Sequence, residues 1–269
     1  MKYFSIMDLQ RDSISHIRRD YWNAVVIGAI LYGVSTAIGM VSSIFTFPLQ
    51  LYTGLIGRMS ITGFKITLDS LPHAFRQIGA MLLPYSLISL IPAVLAIAME
   101  PANAGARLAY LDIASGNRAK ADTIFSTFKS FWRFIGAALW QALFVLLWSL
   151  LFLIPGIIKG YAYFMMPYLV AEYPDLPVQD AMKLSMRITM GYKRKVFLMS
   201  LLLFAWGLLV IPAAVITCGL GGLAYSLLWI SPLSGLMNAA MYNKLKLLAF
   251  GEGRITPKDL HISAQHTQM

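Results

Sequence analysis

Long apolar runs separated by short basic segments set the pattern of this chain. The runs cover residues 21–45, 77–99, 134–154, 156–172, 196–217 and 223–243. A helix needs roughly 20 apolar residues to cross about 30 Å of hydrocarbon, so these runs predict transmembrane helices. The shortest, Gly156 to Ala171, would reach only about 24 Å at 1.5 Å per residue. Pro155-Gly156 reads as a reversal between the third and fourth runs, and Cys218-Gly219-Leu220-Gly221-Gly222 as a tight turn between the last two. The pattern predicts an all-α polytopic membrane protein with six transmembrane helices arranged as three hairpins. A cytoplasmic segment (1–20) precedes a single membrane domain (21–247), and a polar cytoplasmic tail (248–269) follows. Between 46 and 76 the apolar run continues past Pro48 to Gly57, as a re-entrant piece or a second short helix.

The segments between the runs carry a second periodicity. Ile14, Ile17 and Tyr21 share one helical face while Arg11, Ser15 and Arg18 share the other. Phe125, Phe128 and Trp132 oppose Ser126, Lys129 and Arg133; Val178, Met182, Met186 and Thr189 oppose Asp180, Lys183, Arg187 and Arg194. These read as amphipathic helices on the inner leaflet, apolar face down, or as ordinary basic flanks that happen to be helical. Ile113-x-x-Gly116-x-Arg118 resembles Ile188-x-x-Gly191-x-Lys193, which favours a repeat.

Composition makes lipid the solvent. Hydrophobic residues form 58% of the 269-residue chain and charged residues 13%, a balance that a water-soluble surface would not support. The formal net charge is +10. Its basic residues flank apolar runs, which points to the anionic inner leaflet as partner and not to nucleic acid. With the N-terminus inside, only Arg58, Lys65, Arg76 and Lys159 of the 22 lysines and arginines fall outside. That bias orients both termini to the cytoplasm. Candidate lipid-contacting basic residues are Arg18, Arg19, Lys129, Arg133, Lys193, Arg194 and Lys195.

Chemistry-bearing residues are sparse. Cys218 is the one cysteine, so neither an intrachain disulfide nor a cysteine zinc site can form. The four histidines show no metal spacing, and there is no phosphate-binding glycine loop, nucleophile elbow or carboxylate pair within a run. A non-enzymatic protein without cofactor or metal is expected. Candidate functional residues are Lys159, Tyr163, Glu172, Asp175 and Asn238. Lys159 either snorkels outward from a short helix or lines a polar cavity. Tyr163, with Tyr161, reads as an interfacial belt aromatic. Glu172 and Asp175 are placed to pair with Lys183 or Arg187, and Asn238 to hydrogen-bond a neighbouring helix or a substrate. Ser231, Gly235 and Ala239, like Ala29, Gly33 and Ala37, suit close helix packing, and Pro84, Pro92, Pro212 and Pro232 suit kinks that free backbone carbonyls.

Several spaced elements carry a family resemblance. They are Trp148-x-x-Leu151-Phe152-x-Ile154-Pro155-Gly156-Ile157-Ile158, Tyr161 with Tyr163, Pro167-Tyr168, Glu172-x-Pro174-Asp175, Ala181-x-x-x-Ser185, Met190-Gly191-Tyr192-Lys193 and Phe204-Ala205-Trp206. In this order the chain resembles the bacterial integral membrane group called domain of unknown function 975, over roughly its last two thirds. Ala205 stands where that group usually has glycine, and Tyr192 where it commonly has histidine. A more distant likeness is to the membrane portion attached to some glycerophosphodiester phosphodiesterases. The resemblance implies a multi-pass protein of the bacterial cytoplasmic membrane and assigns no activity. Two functions fit: a transporter-like protein handling a lipid or small amphiphile, with Lys159 and Asn238 on a polar path, or a scaffold binding anionic lipid, other membrane proteins or further copies of itself.

Overall fold

Helix is the only regular structure among the described residues. The computed structural model describes residues 4–36, 94–118 and 122–260. They divide into one unit of Met1–Tyr32 with Glu100–Met269 and a second of Gly33–Met99. Of the second unit only 33–36 and 94–99 are described, so the segment 46–76, most of the second apolar run, Pro84 and Pro92 lie outside.

Three helical stretches are long and apolar enough to cross a membrane: Asp122–Leu151, Lys193–Ile216 and Leu220–Gly251. A fourth apolar helix, α2 (Tyr21–Thr36), is shorter. Their surfaces fit lipid, since large apolar side chains stand outward along them, Leu150 being 82% and Ile216 81% exposed.

The first unit opens with α1 (Ile6–Arg19), capped by the Ser5 hydroxyl accepting the Met7 N–H. Leu9, Ser13 and Ile17 form its buried stripe, and that stripe packs on α12 (Ser231–Gly251). Of the face expected to lie on lipid, Ile17 is buried in the protein, whereas Ile14 and Tyr21 are half-buried. Beyond residue 93 comes α3 (Glu100–Ala114), rich in alanine and buried along most of its length. Next are α4 (Asp122–Ser126), a 3-10 turn Thr127–Ser130, and α5 (Phe131–Leu151). Here the expected aromatic face is open: Phe125, Phe128 and Trp132 are all exposed.

The reversal after α5 falls at Phe152, whose backbone is extended, three residues before the expected Pro155. Pro155 instead sits in the first turn of α6 (Leu153–Ala162), where a missing N–H costs nothing. Gly156 has a packing role: a β-carbon there would lie 2.7 Å from Ser149 Cα, so only glycine lets α6 approach α5. The fourth apolar run is then broken at residues 163–165 and resumes as α7 (Met166–Glu172).

Helix α8 (Val178–Thr189) buries Ala181, Met182, Leu184, Ser185, Ile188 and Thr189, and so is packed into the bundle and not laid on a surface. The Ser185 hydroxyl donates to the Ala162 carbonyl at 2.8 Å, and the Thr189 hydroxyl reaches the same oxygen at 3.3 Å. Gly116 after α3 and Gly191 after α8 both take positive φ, 92° and 79°. Their preceding Ile113 and Ile188 are fully buried. The repeated Ile-x-x-Gly is thus a helix stop, in which an αL glycine ends the helix under an isoleucine anchor.

Helices α9 (Lys193–Leu208) and α10 (Val210–Ile216) are separated at Leu209, where Pro212 leaves the Leu208 carbonyl without its helical donor. The turn into α11 (Leu220–Tyr225) uses positive φ at Cys218 and Gly219, as the glycine cluster predicts. A π turn, Ser226–Ile230, leads into α12. Pro232 cannot donate to the Leu228 carbonyl, and the Tyr21 hydroxyl takes that place at 3.1 Å. Helix α12 runs on to Gly251, beyond the expected end of the last run. The chain then docks through buried Ile255 and Leu260, so this part of the tail is folded onto the first unit.

Candidate functional site

Helix α3 forms because alanine dominates it, Glu100 favours its N-terminal dipole and Pro101 fits its first turn. Its small residues let it sink into the bundle. At Gly105 a β-carbon would lie 2.5 Å from the Ile124 backbone, and at Gly235 on α12 one would lie 2.4 Å from the Tyr110 ring. The four-residue spacing around Gly235 therefore does mark close packing. In the first apolar run the close approach is at Gly28, where an added β-carbon would meet Ser231, whereas one at Gly33 would meet nothing within 4 Å among the described residues.

On this small-residue helix Glu100, Asn103, Arg107 and Tyr110 follow helical spacing. The Asn103 amide donates to Glu100 Oε1 at 3.1 Å, and Arg107 Nη1 donates to Glu100 Oε2 at 3.3 Å. Tyr110 donates to the Ala24 carbonyl at 3.3 Å. Burial pushes its hydroxyl up to about 12, against a hydrogen bond with Ser231, so it stays neutral at physiological pH.

Arg107 forms a wall common to two cavities. One, about 210 Å³, is polar: Asn103, Tyr110, Tyr168, Ser231, Ser234 and Asn238 line it. The other, about 340 Å³, runs between α5 and α7, where Phe134, Ala138, Val145, Met166 and Val170 give it an apolar lining and Gln141 and Glu100 its few polar groups. Asn238 Oδ1 is buried without a hydrogen-bond donor among the described residues. A polar recess and an apolar one meeting at a guanidinium are the complement of an amphiphile.

Glu172 sits below this site in a separate cluster. Tyr242 donates a short hydrogen bond to Glu172 Oε2, and Lys246 Nζ donates to Oε1 at 2.5 Å. The Tyr242 ring stacks on Tyr168 at 5.2 Å between centroids, which ties the cluster to the polar cavity wall. The expected pairing of Glu172 or Asp175 with Lys183 or Arg187 is corrected: Lys183 binds Asp180 at 3.0 Å, and Arg187 binds Asp259 at 3.5 Å. Asp175 is exposed and acts on Arg133 only through its charge. The reason is chain direction, since α8 turns its buried face to α6 and leaves its basic face toward the tail.

Lys159 lines neither Arg107 cavity. It lies over the Trp148 ring at 4.7 Å, with Nζ 3.9 Å from Met186 Sδ on α8. Lys159 thus touches α8, the helix that also carries Arg187. Tyr163 is not a belt residue either; it is 2% exposed and hydrogen-bonds Trp148.

The basic residues separate into two groups. Arg18, Arg19, Lys129 and Arg194 are exposed, and Lys193 is half-buried. Arg133 instead donates to the carbonyls of Val170, Tyr173 and Leu176 at 2.7, 2.8 and 2.8 Å, closing the C-terminus of α7. Lys195 donates to the Phe4 carbonyl at 2.8 Å and lies over the Phe4 ring. Charge counting cannot see such ties, since a clamp and a lipid contact use the same side chain. Arg107 was missed for that reason, although the i, i+3, i+7 polar stripe at Glu100, Asn103 and Arg107 inside an alanine-rich helix was a signal.

Among the described residues no group of histidine, cysteine and carboxylate side chains could hold a metal ion. Residues 150–249 match the family model described as protein of unknown function (DUF975). The match supports that family and holds Lys159, Tyr163, Glu172, Asp175 and Asn238, whereas Arg107 lies before it. No curated protein and no solved structure matches the chain, and the likeness to phosphodiesterase membrane portions finds no support.

Proposed function

We propose that this chain, which carries the DUF975 signature, is a non-enzymatic membrane protein that binds a small amphiphile between α3, α5, α7 and α12. The observation behind this reading is the sharing of Arg107 by a polar and an apolar cavity. The six-span plan with both termini inside, in the bacterial cytoplasmic membrane, is part of the proposal. In it α6 and α7 together take the place of the fourth span. The charge distribution supports it. Native mass spectrometry of protein purified in mild detergent tests the binding. A co-purified amphiphile that is lost from Ala138→Trp is expected. A protein that carries none, or that keeps it with the apolar cavity filled, refutes the reading.

A second reading has its own observation. Phe125 is 60% and Trp132 80% exposed beside the exposed Lys129, a surface suited to the inner leaflet or to a partner's helix. Under it, Trp132→Ala with Lys129→Ala abolishes the function in cells while leaving amphiphile binding intact.

A further inference from the structure

We infer that the ligand of this cavity pair is an amphiphile whose phosphodiester headgroup carries a hydroxyl or ammonium donor; the inference rests on the amphiphile-binding reading. Arg107 supplies the anion requirement. A guanidinium has five N–H donors in a planar fork, and Glu100 accepts one of them, at 3.3 Å. The fork suits a phosphate in the polar recess better than the point charge of a lysine would.

Asn238 supplies the donor requirement. Its Oδ1 is buried with no donor facing it among the described residues, and a buried acceptor left unpaired is costly, so the site is complete only when a ligand donates there. Ser231 and Ser234 line the same recess; the Ser234 hydroxyl donates to the Ser231 carbonyl at 3.1 Å and Ser231 bonds Tyr110, which leaves the hydroxyl oxygens as further acceptors for a donor-bearing headgroup. The apolar cavity begins on the other side of Arg107, so a chain leaving the phosphate has a dry path between α5 and α7. A headgroup with phosphate and hydroxyl, or phosphate and primary ammonium, meets all three conditions. A phosphocholine headgroup meets the first and third but has no N–H or O–H for Asn238.

The test is a titration of the full chain in detergent, followed by native mass spectrometry, with three lipids of identical acyl chains and phosphoglycerol, phosphoethanolamine or phosphocholine headgroups. The first two are expected to bind about tenfold or more tightly than the third. Asn238→Leu is expected to erase that preference, and Arg107→Gln to weaken all three about tenfold while Arg107→Lys restores part of the loss. Thermal melting of each variant separates a lost contact from a lost fold. Deacylated glycerophosphoglycerol distinguishes a free headgroup from a lipid, and is expected not to compete. Equal binding of the three lipids with sensitivity to Ala138→Trp overturns the headgroup inference and leaves the amphiphile reading standing. No binding of any of them overturns both. Retention of the preference in Asn238→Leu, or competition by the free headgroup, also overturns the inference.

Discussion

Gly235 lies against the Tyr110 ring so closely that a β-carbon at position 235 would stand 2.4 Å from Cε2. The contact fixes the wall of the polar cavity, because both residues line it. Gly235→Ala must displace the ring or part α3 from α12. Overpacking of this kind costs about 1–3 kcal/mol. The expected result is a lower melting temperature in detergent together with weaker amphiphile binding. Tyr110→Leu added to Gly235→Ala makes room and recovers part of the stability.

Arg133 closes α7 with three carbonyl bonds. Replacing it by methionine keeps much of the stem and leaves the carbonyls of Val170, Tyr173 and Leu176 without that donor. Stability is expected to fall by at least about 2 kcal/mol. Lysine cannot restore it fully, since one ammonium cannot span the three acceptors as the planar fork does. Chemical denaturation of the two variants checks this; equal stability of Arg133→Met and the parent contradicts it.

Asp259 governs how the C-terminal segment docks. Its carboxylate accepts from the Thr256 N–H and hydroxyl, both at 2.8 Å, and pairs with Arg187, which together hold it below the usual carboxylate range. A depressed acid stabilises the docked form at every pH above its unfolded value near 4 and loses that contribution as pH falls through the lower folded value. Amide exchange at Thr256 should therefore be slow and constant from pH 7 down to about 4 and rise below it, after correction for intrinsic rates. In Asp259→Asn it should be fast throughout.

Cys218 allows the orientation to be read directly. It is exposed in the turn between α10 and α11, with φ of 53°. Under the proposed topology an impermeant maleimide labels it in intact cells. Labelling that requires lysis contradicts the six-span orientation.

These features were unequally legible. The Gly219 turn, the helical amphipathicity and the freed carbonyl below Pro232 follow from backbone chemistry, which acts over a few residues and is written locally. The burial of the apolar faces of α1 and α8 was not legible, because an amphipathic face does not state whether lipid or protein covers it. Asn238 stood out as an amide in an apolar run. Arg107 did not, because its meaning depends on Asn238 and on α5 and α7, distant in sequence and brought together only by the packing of α3. Arg133 shows the same limit, since its acceptors are main-chain carbonyls some 40 residues away, which no side-chain pattern records.

The central claim is that an amphiphile occupies the space between α5 and α7. A photoactivatable acyl-chain lipid, incorporated in native membranes and mapped by peptide mass spectrometry, tests it most directly. Cross-links are expected on Ala138, Val145 and Met166 of the cavity lining, and should be lost in Ala138→Trp. Cross-links confined to outward side chains such as Leu146 and Leu150, unchanged by that substitution, would contradict the claim.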